Sequence, residues 1–197
     1  MHALKKLLTH QHPTLFLDRD GVINRRLPGE YVSKWSEFEW LPGVPEAIVR
    51  FNKLFAKTIV VTNQQGIGKG LMTEQDLVAV HAQMQFDLER VGGHFDLILH
   101  CPDLRSKPSN CRKPHPAMAL EAQRQFPDIQ FEYSLMVGDS VSDLQFGKGL
   151  GMTTVLITSN AEEVEKLDAL EADGTVVLAD VRCGGLKELM DRISIHK

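Results

Sequence analysis

Thr14-Leu15-Phe16-Leu17-Asp18-Arg19-Asp20-Gly21 is the stretch from which the rest of this chain is read. An apolar, strand-like run stops at two carboxylates separated by one residue, then at a glycine. Side chains alternate along a strand, so Leu15 and Leu17 take one face and Phe16 the other. Both faces are apolar, the pattern of an inner strand of an α/β sheet. Ligands in such sheets sit beyond the carboxyl ends of the strands. Asp18 and Asp20 therefore fall where chemistry would be done. Taken alone, Asp-Arg-Asp-Gly is equally an ordinary polar turn, so the other stretches must decide.

Outward from that stretch, strands and helices alternate. Pro45 and the spacing of Ala47, Ile48, Phe51, Leu54 and Phe55 predict a helix. The β-branched run 58–62 predicts a strand, ending in Asn63-Gln64-Gln65-Gly66-Ile67-Gly68-Lys69-Gly70. Its glycine spacing is not that of a P-loop, so Lys69 reads as a surface-loop lysine. Thr73-Glu74-Gln75-Asp76 resembles a capping box. It opens a helix with the apolar stripe Leu77, Val80, His81, Met84 and Leu88, and Gly92-Gly93 closes it. Further strands are expected at 95–99, 135–137, 153–157 and 175–178. Helices are expected at 117–125, after Ser159 or Asn160, and at 186–193. The alternation predicts a three-layer, Rossmann-like α/β fold: a mainly parallel sheet with helices on both faces. A length of 197 residues fits one domain, 1–197. Residues 1–13 read as a lead-in, and 22–44 and 101–116 as two long loops on the substrate side.

Composition narrows the function classes. With 22 basic and 26 acidic residues the net charge is −4, so no general affinity for nucleic acid is expected. No apolar run is long enough to span a bilayer, and the N-terminal stretch lacks a signal-peptide core. The expectation is a cytoplasmic monomer that meets no membrane. Cys101, Cys111 and Cys183 are too few and too scattered for a disulfide framework. Loop 22–44 carries Arg25, Arg26, Tyr31, Lys34, Trp35, Phe38 and Trp40. These groups either face a substrate or, as is ordinary for any single aromatic, pack the loop onto the domain.

Four places at strand ends now carry complementary groups: Asp18 and Asp20, Thr62 and Asn63, Lys113 from a loop, and Asp139 with Asp143. In a parallel sheet they share one edge. Removing a phosphoryl group needs such a set: a nucleophile, an acid for the leaving oxygen, a cation, and donors for the non-bridging oxygens. Clustered carboxylates repel unless a divalent cation sits among them, and oxygen ligands suit Mg²⁺. Each member also has a plainer reading. Ser140-Val141-Ser142-Asp143 is a possible capping box, Thr62 an ordinary strand residue, and Lys113 a solvated lysine.

Asp18-Arg19-Asp20-Gly21-Val22, Val61-Thr62-Asn63, Arg112-Lys113-Pro114 and Val137-Gly138-Asp139-Ser140-Val141-Ser142-Asp143 resemble, in order, the four motifs of the haloacid-dehalogenase-like phosphatases. Asp-Arg-Asp-Gly-Val-Ile-Asn, Thr-Asn-Gln-Gln-Gly-Ile and Cys-Arg-Lys-Pro-His-Pro are similar to the branch holding heptose-bisphosphate and histidinol-phosphate phosphatases. The stretch from Glu30-Tyr31-Val32 to Trp40-Leu41-Pro42-Gly43-Val44 looks most like the heptose enzymes. The resemblance implies a HAD-like fold with a minimal cap and a small sugar phosphate as substrate. It implies hydrolysis at the 7-phosphate of D-glycero-D-manno-heptose 1,7-bisphosphate, with histidinol phosphate or another small phosphomonoester as the alternative. It also implies roles: Asp18 as nucleophile, Asp20 as acid and base, and Thr62 and Lys113 on the phosphoryl oxygens. Asn63 and Arg112 would contact substrate, Arg112 through a second phosphate. Mg²⁺ would be held by Asp18, the Asp20 carbonyl and Asp139, with Asp143 beside it. A non-enzymatic phospho-acceptor domain is the remote alternative, and Asp20 speaks against it.

The chain departs from its branch twice. Relatives often carry a zinc loop, Cys-x-His then Cys-x-Cys; here the positions read Cys101-Pro102-Asp103 and Ser109-Asn110-Cys111. Two thiols remain of four nitrogen or sulfur ligands, so no zinc is expected, and prolines and packing should hold the loop. Ser140 stands where the branch often has a basic residue.

Overall fold

The computed structural model describes residues 10–108 and 110–194; most of the lead-in (1–9), Ser109 and 195–197 lie outside the described residues. Thr14–Leu17 forms strand β1, buried along its whole length. Leu15 and Leu17 join one core cluster with Val60, Leu135 and Val137. Phe16 joins the other with Ile59, Val61 and Met136. The strand thus has an apolar layer on each face. Each such side chain contributes about 1.5–3 kcal/mol on burial, and a one-residue slip would exchange the two sets.

Strands β2 (Lys57–Asn63), β3 (Leu97–Cys101), β4 (Ser134–Gly138), β5 (Thr153–Ile157) and β6 (Val181–Cys183) complete the sheet. Its order is β3-β2-β1-β4-β5-β6 and every pairing is parallel. The chain runs outward from β1 to β3, then crosses back to β4, so the strand order switches between β1 and β4. Connections diverge there and leave a crevice at the carboxyl ends. The Asp18 amide donates to Val137 O at 2.9 Å, carrying the β1–β4 ladder up to the acid.

The helices are α1 (Val44–Phe51), α2 (Gln65–Gly68), α3 (Glu74–Glu89), α4 (Ala117–Gln125), α5 (Val141–Gly149), α6 (Ala161–Glu171) and α7 (Leu186–Ser194). Ile48 and Phe51 of α1, Met84 and Leu88 of α3, and Leu189 and Ile193 of α7 cover one face of the sheet. Met118, Ala119 and Ala122 of α4 and Phe146 of α5 cover the other. The Thr73 cap opens α3 as expected: its Oγ1 accepts from the Asp76 amide at 3.1 Å while Asp76 Oδ2 accepts from the Thr73 amide at 2.8 Å.

The structure corrects several local expectations. Residues 175–178 form no strand. Val177 is 61% exposed, and the Leu178 and Ala179 amides donate to Glu171 Oε1 at 2.7 and 3.0 Å. The last strand is Val181–Cys183, where inward Val181 and Cys183 give the burial that β-branched composition at 175–177 only imitates. Helix α1 stops at Phe51, and Leu54 and Phe55 bond back to Phe51 O in the turn that follows. Strand β3 begins two residues later than expected because Gln85 Oε1 takes the Phe95 amide, at 3.0 Å. The glycine stretch after β2 coils into the short helix α2.

The cysteines are corrected too. Cys101, at the end of β3, and Cys111 form a disulfide with their Cα atoms 5.5 Å apart. It is a single staple across the 101–116 loop rather than a framework, and adds to the packing and prolines expected there. Cys183 is free and buried. In loop 22–44 the Trp35 and Phe38 rings stack at 4.6 Å and Phe38 meets Trp40 edge-on at 5.1 Å. All three pack against the core, so they pin the loop down. Among the described residues no helix is long and apolar enough to cross a membrane.

Candidate active site

Beyond Leu17 the chain turns sharply, and the amides of Val22, Ile23 and Asn24 all donate to Arg19 O. Gly21 takes φ +92°, and a Cβ there would collide with the Asp139 carboxylate. Glycine is needed both for the left-handed backbone and for the approach of β1's end to β4's end. The Asp20 carboxylate is ringed by donors. Arg19 Nη2 reaches both oxygens at 2.9 Å, Asn24 Nδ2 reaches Oδ1 at 3.0 Å, and Gln64 Nε2 reaches Oδ2 at 2.8 Å. Burial works to raise its pKa, but Arg19, Asn24 and Gln64 hold it below the usual carboxylate range.

Lys113 arrives from the loop after β3 and is buried. Its Nζ donates to Asp18 Oδ1 at 2.8 Å and Val61 O at 2.7 Å, and lies 2.6 Å from Asp143 Oδ1. Asn63 holds that lysine in place: its Oδ1 accepts the Lys113 amide at 3.0 Å and its Nδ2 donates to Lys113 O at 3.4 Å. Despite burial, Asp143 and Asp18 keep the Lys113 pKa above the ordinary lysine value. Burial pushes the Asp18 carboxyl up to about 6, with Asp143 and Asp20 adding to the rise and Lys113 opposing it.

Asp139 follows β4. Burial raises its carboxyl to about 8, with Asp18 and Asp143 adding to the effect. Arg26, from the 22–44 loop, opposes that rise and donates to Asp139 Oδ2 at 3.0 Å. Asp143 takes the capping reading and also meets the buried lysine. Its Oδ2 accepts from the Ser140 amide and hydroxyl at 3.1 and 2.6 Å, capping α5, while its Oδ1 faces Lys113. Gly138 allows this, since a Cβ there would strike Asp143.

Asp18, Asp139 and Asp143 each bring a carboxylate oxygen within 4.8 Å of the others. Three buried carboxylates, two of them (Asp18 and Asp139) driven toward the neutral form by burial and then by one another and Asp143, fit a hard divalent cation with oxygen ligands. A second cluster joins Cys101, Asp103 and Cys111. Its thiols are spent on the disulfide, and the remaining position, Ser109, lies outside the described residues.

These groups open into one cavity of about 570 Å³, a size suited to a small organic ligand. Thr62, Asn63, Lys113 and Arg112 line it beside Asp18, Asp20, Asp139 and Asp143, so all eight residues given site roles from the four motifs reach it. Thr62 Oγ1 accepts from Gln64 Nε2 at 3.0 Å. Arg112 is half-buried at the mouth, where Nη1 donates to Asp103 O at 3.4 Å. Arg26, Arg105 and Lys166 add positive charge to the wall, which suits a ligand with more than one anionic group. Sequence reasoning did not single out Arg19, Asn24 or Gln64 as site groups, although all three lie inside the quoted motifs. Tyr31, not the tryptophans, is the loop aromatic that lines the cavity.

A HAD-hydrolase-like family model matches residues 110–183. The D-glycero-alpha-D-manno-heptose-1,7-bisphosphate 7-phosphatase of Mycobacterium bovis is 46% identical over 131 residues, 66% of this chain and 69% of that protein. The D-glycero-beta-D-manno-heptose-1,7-bisphosphate 7-phosphatase of Vibrio cholerae is 33% identical over 177 residues, 86% of this chain and 92% of its own. The crystal structure of D,D-heptose 1,7-bisphosphate phosphatase from B. bronchiseptica, complexed with magnesium and phosphate, is similar with a TM-score of 0.82. It is 28% identical and covers 94% of this chain and 99% of that one.

Proposed function

The chain belongs to the HAD-like hydrolases, in the branch of the heptose-1,7-bisphosphate 7-phosphatases, and from that premise we propose that it hydrolyses the 7-phosphate of D-glycero-D-manno-heptose 1,7-bisphosphate. The observation that carries the reading is the meeting of Asp18, Lys113 and Asp139 in one cavity whose wall holds further cations.

The proposed course is two in-line displacements at phosphorus. An Asp18 oxygen attacks, the bond to the sugar oxygen breaks, and Asp20 delivers a proton to that leaving oxygen. Water then attacks the aspartyl-phosphate, Asp20 takes its proton, and the bond to Asp18 breaks to release phosphate. Lys113 and Thr62 hold the non-bridging oxygens, and Asn63 acts chiefly by fixing the Lys113 backbone. Arg112 takes the second phosphate, for which a planar guanidinium is well shaped. The three donor residues around Asp20 favour its ionised form, which suits the base half of the cycle; the proton gained there serves the next acid half. Asp18 and Asp139, with Asp143 beside them, would hold Mg²⁺, which would supply charge neutralisation for the transferring group. The α-anomer is the proposed better substrate, because the 46%-identical relative is named for it and the 33%-identical one for the β-anomer.

The test is kcat/KM in Mg²⁺ for both anomers of the bisphosphate and for histidinol phosphate, with Asp18→Asn as the blank. A site whose polar groups match its substrate discriminates by about 10⁴-fold. The bisphosphate should lead by a margin of that order. Equal, feeble rates on all three would remove the heptose assignment, and no turnover of any phosphate ester would remove the phosphatase.

A further inference from the structure

Among the described residues Arg19 is the largest fully buried side chain, at 0% exposure. A buried guanidinium is costly unless its N–H groups are all met. One edge of it grips Asp20, through Nη2 at 2.9 Å to both oxygens and Nε at 3.3 Å to Oδ1. On the opposite side Nη1 lies 3.1 Å from Nε2 of His81, 62 residues away on α3. Arginine only donates, so His81 Nε2 is the acceptor and the ring's proton sits on Nδ1. The imidazole is buried, 8% exposed, and touches His100 edge-on at 6.1 Å. His100 in turn meets Glu74 Oε1 at 2.5 Å.

The chemistry of that acceptor matters. A neutral nitrogen satisfies the N–H without drawing on the guanidinium's charge, so the whole positive charge stays on Asp20. It also fixes the fork's angle about its long axis, and a bidentate grip depends on that angle. A carboxylate at 81 would compete for Arg19; an aliphatic residue would leave Nη1 unmet and free the fork to turn. Helix α3 contributes nothing else to the Asp20 carboxylate, and the apolar stripe that carries His81 would be complete with a leucine there.

We propose that His81 is a positioning residue for the proton-transfer step, acting through Arg19 to hold Asp20 at the angle from which it protonates the leaving sugar oxygen. This rests on the reading of Asp18 and Asp20 given above. The bond that breaks is phosphorus to sugar oxygen, and the proton that moves is the one carried by Asp20.

The experiment uses the leaving group as its readout. A sugar phosphate needs the proton, whereas p-nitrophenyl phosphate expels a stable anion without it. The value of kcat/KM reports the steps through phosphoryl transfer to Asp18. In His81→Leu it should fall about 10- to 100-fold on the sugar phosphate and less than about threefold on the aryl ester. His81→Gln, whose amide oxygen can accept from Nη1, should restore the sugar-phosphate value to within about threefold of wild type. His81→Ala guards against misfolding of the leucine variant. If neither folds, His81→Glu, which keeps an acceptor but divides the guanidinium's charge, is read for the same ratio. A folded variant lacking the neutral acceptor that keeps the wild-type ratio of the two substrates overturns the proposal, as does an equal loss on both. Failure of the parent reading looks different: wild type itself turns over neither ester, or Asp18→Asn matches wild type.

Discussion

The ammonium of Lys113 donates to Asp18 Oδ1 at 2.8 Å across a separation of 95 residues. Both side chains are nearly sealed from solvent, at 1% and 12% exposure, and Asp143 at 1% closes the group. One cation thus serves two buried carboxylates. Removing it with Lys113→Met leaves both uncompensated, and breaking a buried pair in this way costs about 3–5 kcal/mol. The melting temperature should fall, and fall less in millimolar Mg²⁺ than in EDTA, because a divalent cation can replace the lost charge. Phosphatase activity should drop by at least about 100-fold, as for loss of a preorganised electrostatic donor. Equal melting losses with and without Mg²⁺ would contradict a shared cation site at Asp18 and Asp143.

The Arg26 guanidinium donates to Asp139 Oδ2 at 3.0 Å, so a divalent cation held by Asp139 would have to compete with it. The arginine side chain is 50% exposed, so its hold is modest, within the 0.2–1 kcal/mol usual for exposed pairs. Arg26→Gln should therefore bind Mg²⁺ about two- to fivefold more tightly by titration calorimetry. A weaker Mg²⁺ affinity would mean that Arg26 orients Asp139 for the ion instead of competing with it.

Gly21 is where backbone and site geometry coincide. Its φ of +92° and the space its missing Cβ leaves beside Asp139 are both required. Gly21→Ala should cost about 1–3 kcal/mol in backbone strain, read by urea denaturation. It should also weaken Mg²⁺ binding by displacing Asp139. Unchanged Mg²⁺ affinity in a folded Gly21→Ala protein would show that the β1 and β4 ends can part without consequence.

Much of this was legible in the sequence because it is written locally. The Leu15-Phe16-Leu17 alternation fixes an inner strand, and a parallel sheet then brings Asp18, Thr62 and Asp139 to one edge whatever the details. The partnerships within the site are not local. Nothing near His81 in sequence separates a histidine packed among apolar residues from one that accepts from Arg19; only the fold's placement of α3 against the β1 turn does. Cys101 and Cys111 look scattered until β3 and the return of the loop bring them together. The strand expected at 175–178 failed for a related reason. Thr175-Val176-Val177 has the composition of a strand, but β5 offers its free edge to Val181–Cys183. The place of Asn63 in its motif points to a substrate contact, and only the fold brings in its bonds to the Lys113 backbone, 50 residues away, which give it a supporting task as well.

His81 also gives the protein a measurable response to acid. Burial, then Arg19 and His100, hold its pKa down to about 3 from an ordinary 6.5, with Asp20 opposing them. The sign follows from proton counting. Between pH 6.5 and 3 the unfolded chain binds a proton at this residue that the folded chain refuses, so acidification favours unfolding. The stability at stake is fully present above pH 6.5 and is lost on the way down toward 3, at about 1.4 kcal/mol per pH unit inside that window. Glutamine at 81 has no proton to gain. Urea midpoints measured from pH 7.5 to 4.5 should therefore fall more steeply for wild type than for His81→Gln, whose remaining titrating groups are the same. Parallel curves would mean that His81 takes up its proton in the folded state as readily as in the unfolded one. Its nitrogen would then be no acceptor for Arg19, and the angle of the guanidinium would be set by its own bonds to Asp20 without help from α3.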